Sequence, residues 1–321
     1  MESPPSPSPA RARAFGWIDF WLLTVVATWA VNFKAAQLAG ALPDGGRLDP
    51  RTLIWLRMAL VVPVLLPLAA RLGGRPIGEL LRLTRREVWI FAGLSFAAIP
   101  LNQFFFIWGM QHTSTVHGAL LFATSPALAS GLSHLAGIDR SRKRVWWGMA
   151  LAFAGVALVV SRSAMAHGAA RTDAEPGLFG DLLILGSACA WGVYATGTST
   201  TLGKRGALDV TALTMTFGLI WCTVLFGAVV VRDLAAHPLT QLTPRGWSGL
   251  LYIAYMGALY GWVVWTRGIA VIGPTRTMLY QYFVPLVSML LGVSFFGEAL
   301  ELRAVAGAAL ILTGVAIGRR G

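Results

Sequence analysis

Charge is what this sequence has least of. Only 12% of its 321 residues are Asp, Glu, Lys or Arg, against 56% hydrophobic residues. A soluble domain carries about 25% charged residues. So small a share cannot clothe a water-facing globule of this length, and lipid must act as solvent for part of the chain. Cysteine is nearly absent: Cys189 and Cys222 are the two, and both fall inside apolar stretches. They read as small packing residues, with neither a disulfide framework nor a metal pair expected. No His-Glu-x-x-His, no Gly-x-Ser-x-Gly and no pair of aspartates within an apolar stretch occurs. The groups an intramembrane enzyme needs are therefore missing, and an enzyme is kept only as an alternative of another class. His112, His117, His134, His167 and His237 are scattered over loops and segment ends, so no metal and no cofactor is expected.

Long apolar runs are what is abundant. A spanning helix needs roughly 20 mostly apolar residues. Ten segments qualify, near 17–39, 51–70, 88–110, 115–135, 145–162, 180–203, 209–231, 247–269, 275–295 and 302–318. The expected fold class is all-α integral membrane, with ten transmembrane helices. The 36 glycines and 13 tryptophans agree, because Gly is frequent in membrane helices and Trp gathers at membrane–water interfaces. Residues 1–15, rich in Pro and Ser, read as a disordered cytoplasmic tail. The apolar run behind them lacks a small-residue cleavage site and reads as a retained helix.

The formal charge of +12 would suggest nucleic acid in a soluble protein. Here the basic residues sit in short loops, where they report orientation, and no nucleic-acid partner is expected. With the N-terminus placed inside, 17 Lys and Arg fall in inner segments and 7 in outer ones. Both termini are therefore expected in the cytoplasm of a bacterial inner (plasma) membrane, with 163–179 a periplasmic linker. A reporter fused to the C-terminus should score as cytoplasmic; a C-terminus found outside would rule out the even count of spans.

The chain also repeats itself. A shift of 159 positions carries Gly109 onto Gly268, Pro126 onto Pro285, Gly148 onto Gly307 and Gly155 onto Gly314, and Asp139 onto Glu298. Nearer the start the shift is 162: Asp19 meets Asp181 and Trp29 meets Trp191. Apolar coincidences are cheap in this composition, whereas four Gly and Pro coincidences at one offset are not. Two halves are expected, 16–162 and 180–321, each of five helices. Five is odd, so the second half enters the membrane upside down, an architecture found in many secondary transporters, with a substrate site near the midplane.

Several short patterns carry a family likeness. The first segment holds Thr28-Trp29-Ala30-Val31-Asn32-Phe33-Lys34, and the second half holds Trp191-Gly192-Val193-Tyr194. Arg57 lies in the second segment, Phe296-Gly297-Glu298 follows the ninth, and Gly307 and Gly314 space the tenth. Together these resemble the drug/metabolite transporter superfamily, specifically its EamA-type members, over roughly 17–318. Ala30 stands where that family usually has Gly, and Tyr194 where it has Asn. The resemblance implies ten helices around a central cavity and export of amino acids or other small metabolites.

The residues add candidates of their own. Charges inside a span are costly and default to a functional hypothesis. Lys34 and Arg57 both lie ~8–9 Å below the outer boundary at 1.5 Å per residue. They suit joint attraction of a carboxylate; the alternative is that each snorkels to the interface. Asn102, Gln103 and Phe106 in the third segment, Tyr255 and Trp262 in the eighth, and Tyr280 and Gln281 in the ninth supply amides that need partners at membrane depth and aromatic walls with polar tips. Trp29, Asn32 and Tyr194 join them as substrate-binding candidates; packing is the alternative for the amides. Trp108, Trp265 and Tyr282 are expected in interfacial belts or facing lipid. Pro126 and Pro285, read as mid-helix prolines, are hinges or fixed kinks. Asp19 and Asp181 open their segments as caps.

The function expected is export of small amphipathic metabolites, foremost amino acids, by alternating access. The alternative within transport is an exchanger of anionic metabolites, organic acids or sugar phosphates. No Asp or Glu occupies the middle of a span, which points to facilitated diffusion or exchange rather than proton–cation antiport. Expected partners are a small-molecule substrate and the lipid bilayer, the chain being a monomer or homodimer.

Overall fold

The computed structural model describes residues 16–112, 118, 121–138, 142–166, 178–203, 205–296 and 302–319. The tail 1–15, most of the 163–179 linker, and Asp139, Gly297 and Glu298 lie outside the described residues. The chain runs through α1 (Trp17–Leu38), α2 (Pro50–Leu72), α3 (Arg85–Gly109), α4 (Ser125–Leu135), α5 (Lys143–Ala166), α6 (Leu178–Thr201), α7 (Ala207–Ala236), α8 (Pro244–Ile272), α9 (Pro274–Leu279, a 3-10 turn Tyr280–Tyr282, then Phe283–Phe296) and α10 (Leu302–Arg319). Each of the ten apolar segments overlaps one of these helices, most of which extend a few residues past the expected bounds. Among the described residues five helices, α2, α3, α6, α7 and α8, are long and apolar enough to cross a membrane by length and composition.

Local chemistry explains where the helices begin. Asp49 caps α2, accepting the Arg51 N–H at 2.8 Å, and Pro50 follows at the first helical position, where its missing N–H costs nothing. Arg51 also hydrogen-bonds the Asp49 side chain and holds its carboxyl below the usual carboxylate range. Thr84 caps α3 in a reciprocal box with Glu87, satisfying two backbone donors at once. Two helices change winding midway. Ala97–Leu101 in α3 and Tyr252–Tyr260 in α8 are π-helical, and a shift of 159 carries the first onto 256–260, inside the second. A π-turn widens the helix by one residue per turn and is common at functional sites.

Two helix pairs pack face to face, α5 with α10 and α2 with α7. α6 is held by α3 and α4; α1 is held by α8 and α9. Small residues set the α5–α10 distance. A Cβ on Gly148 would stand 2.5 Å from the Gly314 carbonyl oxygen, and one on Gly155 would stand 2.6 Å from that of Gly307. Gly148, Gly155, Gly307 and Gly314, two of the repeat's matched glycine pairs, thus form one interface, where backbones touch as small residues allow in membrane helices.

Polar ties close the ends. At one end Asp209 pairs with Arg75, and Arg205 donates from Nε to Glu87 at 2.7 Å and from its terminal nitrogens to the Leu80 and Arg82 carbonyls. At the other, the Asp49 N–H donates to Asp233 at 2.8 Å, and the Thr243 N–H to the Ala41 carbonyl at 3.1 Å.

Candidate functional site

The aromatic side chains of α1, α6 and α8 meet in the main core. Trp29 is the hub. Its ring centroid lies 4.9 Å from Trp265 and 6.1 Å from Trp191. Trp191 stands 5.3 Å from Tyr194 and 5.5 Å from Trp262, and Tyr194 lies 5.1 Å from Trp262. Trp29 and Trp191, equivalents under the repeat, therefore touch each other. Three sequence candidates, Trp29, Tyr194 and Trp262, are brought together here. Trp191 and Trp265 are not among the sequence candidates, although Trp265 stands three residues past Trp262 on the same helical face and Trp191 matches Trp29. The interfacial expectation for Trp265 and Tyr282 is corrected: they are 0% and 2% exposed, because α1 and the α5–α10 pair cover the faces that composition alone leaves to lipid. Trp108 is 42% exposed.

The polar groups of this cluster are unevenly satisfied. The Trp29 indole donates to the Gly257 carbonyl at 3.0 Å, a group on the π-turn of α8. Tyr194 shares a hydrogen bond with Thr266 at 3.3 Å. Among the described residues the buried indole nitrogens of Trp191 and Trp265 have no partner, nor does the Asn32 Oδ1, which lies against Gly257 one helical turn past Trp29. The Arg57 Nε is likewise buried without a partner among the described residues. Arg57 sits on α2, which packs on the same π-turn and on α7 beside Cys222. Buried donors in native structures are almost always paired, so several orphans in adjoining helices call for an explanation.

Other candidates lie elsewhere. Asn102 is 4% exposed and clamps α3 to α6: its Nδ2 donates to the Ser187 carbonyl at 2.9 Å, while the Ser187 hydroxyl donates back to the Asn102 carbonyl at 3.0 Å. Gln103 donates to the Asn102 Oδ1 at 3.2 Å. Phe106 packs edge-on against Phe122 at 5.3 Å. Tyr255 is half-buried against the main core. The Gln281 Oε1 accepts from the Ser125 hydroxyl at 2.8 Å, and the Tyr280 hydroxyl donates to Asp19. The Lys34 side chain lies outside the described residues.

Pro126 and Pro285 differ from the mid-helix reading. Pro126 is in the first turn of α4, after a turn at 123–124, and Pro285 follows the 3-10 turn of α9. Each stands where a helix restarts, and a proline there sacrifices little hydrogen bonding. The Ser125–Gln281 hydrogen bond joins the two restarts. Asp19 does cap α1, accepting the Gly16 N–H at 2.6 Å, and it also pairs with Arg319 at 2.8 Å, a contact across 300 residues that no local pattern announces. Among the described residues no group of three or more His, Cys, Asp or Glu is placed to hold a metal ion.

Comparison with known proteins agrees with this architecture. A solved crystal structure superposes with a TM-score of 0.72 at 17% identity, over 95% of this chain and 98% of that one, which shows the fold alone. An uncharacterized transporter of Bacillus subtilis, YyaM, is 30% identical over 219 residues, 67% of either chain. An uncharacterized transporter of Archaeoglobus fulgidus is 24% identical over 84% of this chain and 87% of its own length. A probable terminal-alkyne amino-acid exporter of Streptantibioticus cattleyicolor is 24% identical over 93% of this chain and 92% of its own. The model of the EamA-like transporter family matches residues 16–161 and again 178–318. Matched twice and nearly end to end, this helical membrane protein belongs to the EamA-like transporter family.

Proposed function

We propose that the chain exports small amphipathic metabolites bearing a carboxylate, amino acids above all, by alternating access between two inverted five-helix halves. The observation that carries this reading is a set of buried groups without a partner among the described residues: the Trp191 and Trp265 indole N–H groups and the Asn32 Oδ1 at the aromatic cluster, and the Arg57 Nε on α2, which packs on the π-turn of α8. Aromatic walls suit the apolar part of such a substrate. An orphan cation suits its carboxylate, and an orphan acceptor suits its amine. Leaving such groups dry and unpaired costs about 1–3 kcal/mol each, and more for a charge, which water or substrate would relieve. The pairing of helices supports the two-half reading. Moving each helix on by five turns the α6 contacts with α3 and α4 into the α1 contacts with α8 and α9, and returns α2–α7 and α5–α10 to themselves. The amino-acid exporter among the relatives agrees with the substrate class.

The test is efflux from proteoliposomes loaded with a panel of amino acids, nucleosides, organic acids and sugar phosphates. Saturable efflux of one or more amino acids is expected. Efflux confined to sugar phosphates or dicarboxylates would replace this reading with anion exchange, and efflux of nucleosides alone would overturn both.

A further inference from the structure

We propose that Asp19, Tyr280 and Arg319 form a latch that holds the transporter closed at the end bearing its termini, so that at rest it opens at the opposite end. This rests on the alternating-access reading above. Asp19 is 3% exposed, and its two carboxylate oxygens have separate tasks. Oδ2 accepts the Gly16 N–H at 2.6 Å and caps α1. Oδ1 does no capping: it accepts from the Tyr280 hydroxyl and pairs with Arg319 at 2.8 Å. The Arg319 guanidinium also stands 5.8 Å from the centre of the Tyr280 ring, within cation–π range. Three elements are thus gathered on one oxygen: the first turn of α1, the 3-10 turn of α9 and the last turn of α10.

The position of Tyr280 makes this more than a cap. It occupies the break in α9, just ahead of Pro285, and the adjacent Gln281 holds Ser125 at the restart of α4. Any swing of the first part of α9 away from α1 has to break the Asp19 contacts. The Arg75–Asp209 and Arg205–Glu87 ties at the 75–87 and 205–209 segments involve no part of α9 and leave that motion free. The residues of the latch are also not duplicated. Under the repeat, Asp19 corresponds to Asp181, Tyr280 to Leu121 and Arg319 to Val160. Leu121 and Val160 carry no polar side-chain group, so the tyrosine hydroxyl and the guanidinium are not repeated in the other half. Bonds that exist only while α1, α9 and α10 are gathered at this end favour the state closed there.

The test reads accessibility from each face in membrane vesicles containing the full chain. Ser125, 1% exposed and bonded to Gln281 behind the latch, is replaced as Ser125→Cys in a chain carrying Cys189→Ser and Cys222→Ala. Labelling uses a membrane-impermeant maleimide. Arg319→Gln should raise labelling from the face of the termini about tenfold and Tyr280→Phe about threefold, with a matching fall from the other face. Arg319→Lys, which keeps the charge, should stay near the parent. Unchanged labelling in Arg319→Gln and Tyr280→Phe, with protein that remains folded by size-exclusion chromatography, overturns the latch. So does Arg319→Lys labelling as fast as Arg319→Gln. Because labelling needs no substrate, a chain that exports no amino acid yet shows these changes loses the substrate assignment and keeps the latch.

Discussion

Gly148→Leu and Gly314→Leu should each remove most of the folded protein, the largest stability loss expected from any single substitution in this chain. The reason is what a side chain would strike. A Cβ on Gly148 lies 2.5 Å from the Gly314 carbonyl oxygen and the Gly318 nitrogen; one on Gly314 lies 2.5 Å from the Ala152 nitrogen and the Gly148 carbonyl. These are backbone atoms of a facing helix and cannot rotate away. α5 and α10 must separate along their length, and the Met149, Val156, Ile311 and Val315 core between them opens with it. Overpacking a well-filled core costs typically ~1–3 kcal/mol, and rigid backbone on both sides places these positions at or above that limit. Proteins of ~5–15 kcal/mol total stability lose much of their margin. Fluorescence-detected size-exclusion chromatography with thermal challenge measures it. Gly93→Leu is the control, since nothing lies within 4 Å of a Cβ there and leucine favours helix more than glycine does. Equal loss in both places would mean that helix separation is not the cause.

Arg57→Met should move stability and transport in opposite directions. Among the described residues nothing pairs with the buried Arg57 Nε, and a half-buried cation whose Nε lacks a partner carries a desolvation cost that methionine of similar length does not. Thermal stability should rise, by about 1–2 kcal/mol once partial solvent access is allowed for. Export of carboxylate-bearing substrates should fall about a hundredfold, because two charge-assisted hydrogen bonds are worth roughly 3 kcal/mol and each 1.4 kcal/mol is tenfold. The decarboxylated amine of the same substrate should be little affected. Reconstituted efflux beside a thermal-shift measurement reads both signs. A variant that melts lower and exports normally would falsify the anion-binding role and make Arg57 a structural residue.

The helices were legible because their signal is local. Each apolar segment announces itself by length and composition, and Asp49-Pro50 and Thr84 with Glu87 announce where two helices start. The offset of 159 was also legible, since Gly and Pro stand out against a background of Ala, Val and Leu. Gly148, Gly155, Gly307 and Gly314 could be matched as copies from sequence, yet that they touch one another could not. The candidate site divides in the same way. Trp29, Tyr194 and Trp262 were identified by residue type and depth and do share one cluster. Asn102 and Gln103 share those features of type and depth, yet they bond Ser187 and each other.

What the sequence by itself determined is the solvent, the helical segments and the likeness to a transporter family, all properties of neighbouring residues or of composition. What only the tertiary structure decided is which polar groups find partners. Asn102 is satisfied and Trp191 is not; Trp265 is buried where composition suggested an interface; Asp19 meets Arg319 from the far end of the chain. The physical reason is that in lipid the free energy of a buried amide, indole or guanidinium depends on whether a partner lies within ~3 Å. That distance is set by how remote helices pack, and the order of residues along any one helix does not contain it.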